Sequence, residues 1–250
     1  MLEGTTTIYH NPLLPRFSSI VLASSSPRRQ ELIQSLGLKL PIKLAPTYVD
    51  ETYEKEWQPH QIVEQLSLRK AHAAAAKLRQ QLSEEEALLV IGSDTIVVKD
   101  SEVLGKPEDE QEARRMLSRL QGSRHQVFTG LACTWVSSKS QTLSEADRSF
   151  ETYQMGRTGS FQMRSSAAER LPYEAVGHTV SEVTFREMSG QEIADYTASG
   201  YPLDKAGAYG IQGIGAIFIE RIEGDFYSVM GLPINLLYMM LRRFGISPLE

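Results

Sequence analysis

Apolar runs and polar turns alternate along this chain at two different periods. Ile20-Val-Leu-Ala is a short continuous apolar run, and after Ser24-Ser-Ser the residues Leu32, Ile33 and Leu36 recur at helical spacing before Gly37. A buried strand that turns directly into a helix accounts for this, with Ser26 as its cap and Pro27 at its first position. Residues 58–82 predict a second helix, with Ile62, Val63 and Leu66 on one face and an alanine run behind them. Ala87-Leu-Leu-Val-Ile-Gly predicts a fully buried strand that ends at Ser93-Asp94-Thr95, with Ile96-Val-Val resuming as strand. Asp109 and Glu112 are spaced as a cap and its partner, opening a helix through Met116, Leu117 and Leu120 to Gly122. Residues 125–136, 180–188 and 216–222 predict strands. Ser189 and Glu192 form a capping box for a helix ending near Gly200, and Pro233 opens a last helix carrying Leu236, Leu237, Met240 and Leu241. Strands and helices alternate at both ends, which predicts an α/β fold around a mostly buried central sheet.

Two stretches fall outside this pattern. Residues 137–177 are polar, serine-rich and weakly patterned, and their composition predicts a disordered insert rather than a functional flap. The first 16 residues have no apolar core of the kind a secretory signal needs, and 1–18 are expected to be a flexible extension ahead of a single domain over 19–250. Composition then narrows the function. At 41% hydrophobic and 23% charged the chain is globular, and a net charge of −5 speaks against a general nucleic-acid binder. No apolar run approaches the length of a membrane span. Cys133, the only cysteine, sits in an apolar run and is expected to be a buried structural thiol. A reducing, cytoplasmic setting is expected.

The chemistry-bearing residues lie at the ends of these predicted elements. A helix N-terminus offers unpaired N–H groups and a partial positive charge, so Ser24-Ser25-Ser26-Pro-Arg28-Arg29 suits an oxyanion, although an ordinary capped helix with solvated arginines has the same composition. Asp50-Glu51 either complements a helix dipole or holds a divalent metal on a polyphosphate. Asp94, closing an apolar strand, is costly unless it works in a cleft, where it could bind metal or take a proton from water; a turn aspartate bonded to its own backbone is the plain alternative. Lys106, between Gly105 and Pro107, and Lys70, among alanines, are each suited to a phosphate or to solvent. Four glycines follow Asp204-Lys205 within a dozen residues, with Gln212 among them able to read a base edge through its amide. Acid pairs, isolated cations and small-residue loops together make up the apparatus of metal-assisted phosphoryl chemistry. No Cys/His cluster, nucleophile elbow or Walker loop competes with that reading.

The ordered series Leu22-Ala-Ser-Ser-Ser-Pro-Arg-Arg-Gln-Glu-Leu, Val49-Asp-Glu-Thr, Arg69-Lys-Ala, Ile91-Gly-Ser-Asp-Thr-Ile-Val-Val, Leu104-Gly-Lys-Pro, Val127-Phe-Thr-Gly, Val183-Thr-Phe-Arg, Pro202-Leu-Asp-Lys-Ala-Gly-Ala-Tyr-Gly-Ile-Gln-Gly and Gly231-Leu-Pro resembles the Maf family of nucleoside triphosphate pyrophosphatases. The resemblance implies a mixed, twisted sheet flanked by helices, similar to the inosine triphosphate pyrophosphatase fold, in a homodimer that works with Mg²⁺ or Mn²⁺. It implies cleavage of a nucleoside triphosphate to the monophosphate and pyrophosphate. Asp94 would be the proton acceptor, and Glu51, Lys70 and Lys106 would complete the catalytic set. Ser25 and Arg29 would bind substrate, and Glu51 and Asp94 would hold the metal. Arg28, Thr95 and Gln212 stand where subfamilies differ near the base, and this trio resembles the branch acting on dTTP and UTP rather than CTP or 7-methyl-GTP. A non-catalytic nucleotide-binding regulator of septum formation is the alternative, and an intact Asp94, Glu51, Lys70 and Lys106 weigh against it.

Overall fold

The longest apolar stretch of the sequence becomes the spine of the sheet. In the computed structural model, which describes residues 17–138, 148–166 and 172–249, β3 (Ala87–Lys99) is an unbroken strand of 13 residues. One edge is paired along almost its whole length with antiparallel β5 (Arg124–Ser137). The other edge is shared. β1 (Ser19–Leu22) runs parallel to it as far as the Leu22–Ile91 pair, and β4 (Glu102–Leu104) returns antiparallel from Val97 onward. Residues 92–96 of β3 therefore have a strand on one side and, among the described residues, none on the other. β2 (Ile42–Leu44) extends the sheet beyond β1, and β8 (Pro172–Phe185), β7 (Gly159–Ser166) and β6 (Arg148–Gln154) extend it beyond β5. β9 (Ile219–Glu223) pairs with β8, completing a nine-stranded mixed sheet.

Successive side chains of β3 serve different layers because they point to opposite faces. Leu88, Val90, Ile96 and Val98 pack under α2 (Pro59–Arg79) against its Ile62, Val63, Leu66 and Leu68. Leu89 and Ile91 face the opposite layer, where α1 (Pro27–Ser35) contributes Ile33 and α6 (Ile234–Arg243) contributes Leu237 and Met240. Val97 lies on that same side but meets α3 (Glu110–Leu120) and α4 (Gly190–Ala198) through Leu117 and Ile193. Two glycines set the height of α2. A Cβ on Gly92 would stand 2.2 Å from the Ser67 carbonyl oxygen, and one on Gly130 would stand 2.1 Å from that of Val63. The helix backbone thus rests on the sheet itself. No helix among the described residues is long and apolar enough to cross a membrane. Cys133 is fully buried, and burial pushes its thiol pKa up, as a structural cysteine requires.

Several sequence expectations need correction. Ser93-Asp94-Thr95 does not end a strand; β3 continues because β5 pairs with it through Asp94–Gly130 and Thr95–Thr129. The 137–177 stretch is not disordered where it is described. β6 and β7 form a hairpin on β8, and Phe161 and Met163 enter the main core. Tyr153 stacks on Phe161 at 4.8 Å, with the Arg243 guanidinium 4.2 Å from the Tyr153 ring centre. One wet face of a hairpin is enough to lower the average hydrophobicity of the segment, and that masked the period-two signal on its dry face. Residues 139–147 and 167–171 lie outside the described residues, as do 1–16 of the expected extension. Its last two residues are held: Phe17 is buried against Phe244, and the Ser18 amide donates to the Ala87 carbonyl at 2.8 Å. Residues 213–218, expected partly as strand, form a 3-10 turn ahead of β9.

The hairpin's contribution to the core is measurable. Phe161→Ala is expected to lower unfolding free energy by about 3–5 kcal/mol in urea titrations, whereas a change near zero would mean that the segment does not pack on the sheet.

Candidate active site

The free stretch of the β3 edge is where the sequence's scattered acids and cations meet. Asp94 points to the α2 face and is buried, and the Lys70 ammonium, also buried on α2, binds its Oδ1. The same Nζ lies 2.8 Å from Glu51 Oε1, so one cation bridges two carboxylates. Glu51 sits on the loop between β2 and α2 with its side chain half exposed. That loop is tied down from below, because Arg69, the residue before Lys70, donates Nη1 to the Asp50 carbonyl at 3.0 Å and to that of Thr52 at 2.5 Å. Asp50 turns inward on its own loop, accepting from the Thr52 amide and hydroxyl, and so leaves the acid work to its neighbour. Partial burial opposes ionisation of Glu51, but Lys70, assisted by Lys106 and Arg29, holds its carboxyl below the usual range.

The serine turn closes the gap from the β1 side. Ser26 is the N-cap of α1 by position but makes no capping bond; the Ser24 hydroxyl instead accepts from the Ser26 amide at 3.2 Å. Ser25 is exposed at the turn. Arg29 is fixed along one edge of its guanidinium, with Nε donating to the Gly231 carbonyl at 2.7 Å and Nη2 to Thr95 Oγ1 at 3.1 Å. No described residue accepts from its Nη1, so the Nη1/Nη2 end remains a fork of the shape that grips a phosphate. Burial lowers the Arg29 pKa, while Asp94 and, less strongly, Glu51 act against that shift. Gly231 ends the short helix α5 (Phe226–Met230) at φ 109°, a left-handed backbone that presents its carbonyl to both Arg29 and the Ser93 hydroxyl.

A buried carboxylate–ammonium pair with a second acid, facing an arginine fork at a strand edge, is a setting for polyanion chemistry, and its residues lie in motifs that recur in known proteins. The family model of Maf-like proteins matches residues 19–177 and 157–244. The chain belongs to the Maf family. It is 41% identical over 228 residues to a dTTP/UTP pyrophosphatase of Desulforamulus reducens, covering 91% of this chain and 97% of that one. It is 40% identical over 230 residues to the Moorella thermoacetica protein of the same name, covering 92% and 97%. The Bacillus thuringiensis dTTP/UTP pyrophosphatase is 39% identical over 228 residues, covering 91% and 96%. Among solved structures, the Ham1 protein of Staphylococcus aureus aligns at a TM-score of 0.33 with 14% identity, over 59% of this chain and 70% of that one.

The Maf fold of this chain brings most of the sequence-predicted residues together. Asp94, Lys70 and Glu51 are in direct contact, and Arg29 and Lys106 act electrostatically on Glu51. The three residues expected near the base come from three segments, Arg28 from α1, Thr95 from β3 and Gln212 from the loop after α4. Thr95 points to the face opposite Asp94 and bonds Arg29 and Thr129, not Arg28. Arg28 faces the Asp204 loop: burial pushes the Asp204 carboxyl up, but Lys205 and Arg28 hold it below its ordinary value. Gln212 belongs to that same loop, its carbonyl receiving the Tyr201 hydroxyl at 2.8 Å and its side chain half-buried. The loop is docked on the Lys106 segment by the Gly207 amide, which donates to the Gly105 carbonyl at 2.9 Å. Sequence reading missed Arg69, Ser93 and Thr129 as working residues. Ser93 and Thr95 are two polar side chains on the face that Leu89 and Ile91 make apolar, and polar residues in such a row need buried partners.

The Lys70 bridge sets a pair of expectations. Lys70→Met should lower stability by about 3 kcal/mol, since it strands the Asp94 charge, while Glu51→Gln should change it by less than about 1 kcal/mol at neutral pH. Because the Glu51 pKa is lowered in the folded state, its favourable contribution is present above the ordinary value of 4.5 and fades as pH falls through the lowered one. Urea midpoints of wild type and Glu51→Gln, compared between pH 7 and 3, should converge on the acid side.

Proposed function

We propose that this Maf protein hydrolyses dTTP and UTP to the monophosphate and pyrophosphate. The observation that carries the reading is the buried Asp94 held by Lys70 beside Glu51, on which Lys106 and Arg29 also act; the names of the relatives at about 40% identity supply the substrate. Asp94 takes a proton from the attacking water as its oxygen bonds the α-phosphorus. The bond from that phosphorus to the bridging oxygen breaks, and the electron pair leaves with pyrophosphate. Lys70 keeps the Asp94 carboxylate oriented toward the cleft. Arg29 and Lys106, with Ser25 and the first-turn amides of α1, take the triphosphate oxygens, and charge neutralisation supplies most of the rate. Arg28, Thr95 and Gln212 recognise the pyrimidine.

The donor set fits a Mg²⁺ or Mn²⁺ ion that arrives with substrate. No group of three or more ligating side chains exists among the described residues, but two adjacent carboxylates completed by phosphate oxygens and water are the usual way such an ion is held. Glu51 and Asp94 would hold it, and it would neutralise charge on the triphosphate. Exposed Ile214, Ile217, Phe226 and Tyr227 offer apolar surface for the homodimer we infer, and we place the enzyme in the cytoplasm.

Pyrophosphate release over a panel of canonical and modified nucleotides, with Mg²⁺ or Mn²⁺, tests the reading. dTTP and UTP are expected to be the best substrates, and Asp94→Asn is expected to reduce kcat by about 10²-fold or more. Absence of release from every nucleotide would overturn hydrolysis, and full activity in Asp94→Asn would remove Asp94 from its role.

A further inference from the structure

The loop that carries Gln212 is wound on a lysine and a tyrosine that the pyrophosphatase reading leaves without a role. α4 gives way to Ser199 and Gly200, whose φ of 69° turns the chain out of the helix, and the Ser199 hydroxyl accepts from the Tyr201 amide at 3.2 Å. Tyr201 is thereby placed by a helix end. Lys205 is buried, and its ammonium reaches back to the Tyr201 carbonyl, to Asp204 Oδ1 and, at 3.8 Å, to the centre of the Tyr201 ring. The glycines follow the surface these two side chains make. A Cβ on Gly210 would stand 3.0 Å from Lys205 Cε and 3.3 Å from the Tyr201 ring, and one on Gly213 would stand 2.8 Å from the Tyr201 hydroxyl oxygen. Gly213 also has φ 64°, a left-handed backbone that a side chain would strain. Gly215 closes the turn, where a Cβ would stand 2.3 Å from the Gly210 carbonyl oxygen. Gln212 lies between these glycines and is fixed through its backbone, its carbonyl accepting from the Tyr201 hydroxyl at 2.8 Å. Its side-chain amide makes no capping bond to the 3-10 turn that it precedes, and no described residue bonds it otherwise. A side chain without bonds of its own goes where its backbone points it.

We propose that Tyr201 is a specificity-positioning residue: its hydroxyl, carried by a ring seated on Lys205, holds the Gln212 backbone so that the Gln212 amide meets a pyrimidine edge and is misplaced for a larger purine. This rests on the pyrophosphatase reading and deepens it. Tyr201 acts through Gln212, so its effect falls on the choice of base and not on the triphosphate, which Arg29 and Lys106 take from other elements.

The test compares wild type, Tyr201→Phe, Gln212→Ala and the double variant for KM and kcat on dTTP, UTP and GTP. Tyr201→Phe keeps the ring over Lys205 and removes only the hydroxyl. It should raise KM for dTTP and UTP by about fivefold, the weight of one neutral hydrogen bond, with a smaller change in kcat and little change for GTP. The UTP-to-GTP ratio of kcat/KM then falls by about the same factor. In the Gln212→Ala background Tyr201→Phe should leave that ratio where it was, because the amide it positions is gone. An equal loss on all three nucleotides is what a merely structural role would give, and it would overturn the proposal. An unchanged ratio in Tyr201→Phe, or a further fall on top of Gln212→Ala, would overturn it as well. If wild type releases no pyrophosphate from any nucleotide, the enzymatic reading fails by itself, and the positioning is decided by Kd for the same three nucleotides in titration calorimetry. A UTP-to-GTP affinity ratio that falls in Tyr201→Phe but not on top of Gln212→Ala supports the role; an unchanged ratio, or no binding of any of them, removes it.

Discussion

The buried pair between Lys70 and Asp94 is the constraint around which the rest of this molecule is arranged. A carboxylate inside a sheet is unfavourable unless a cation meets it, and the cation has to come from a helix lying close enough for a lysine to reach. Gly92 and Gly130 make that approach possible by letting the backbone of α2 settle against β3 and β5 where any Cβ would collide. The alanines that follow Lys70 continue the same close contact. Glu51 then completes the arrangement from a loop that Arg69 fastens to the same helix. The two basic residues side by side on α2 thus have separate duties, one inside the cleft and one beneath its rim.

The second determinant is the interrupted edge of β3. A strand paired on both sides would bury Asp94 beyond the reach of a ligand. Here β1 stops at Leu22 and β4 begins opposite Val97, so the intervening residues are supported by β5 and, among the described residues, have no strand on the other side. The chain enters this opening with small serines and a helix start, which add amide donors without bulk. On the far face of the strand, Ser93, Thr95 and Thr129 link α1 to α5 and hold Arg29 at the mouth. Acid chemistry and arginine placement are thereby built on opposite faces of one strand, offset by a single residue.

The insert shows how composition and periodicity can disagree. Polar residues dominate the sequence of β6 and β7, yet Phe161 and Met163 alternate with polar neighbours and cover the same core as α6. The α1 and α3 signals were legible because each combines a helical apolar stripe with a terminal marker, Pro27 and Asp109, and α2 was legible from its stripe and the alanine run behind it. The polar residues at Ser93-Asp94-Thr95 were legible as a site but misleading as a strand end. Their solvation comes from partners far along the chain, the nearest being Lys70 and the most distant Gly231.

By itself the sequence determined the α/β alternation, the Maf family and the identity of the acids and cations, since each depends on local spacing or on motifs in a given order. Tertiary structure alone decided which of them touch. Lys70 lies 24 residues from Asp94, Thr95 lies 66 from Arg29, and Gly231 lies 202 from Arg29. Contacts at such separations depend on strand order, on the height of a helix above a sheet, and on which face of a strand a side chain leaves. The period-two rule places Thr95 opposite Asp94, but only the packed layers reveal that Arg29 waits on that side.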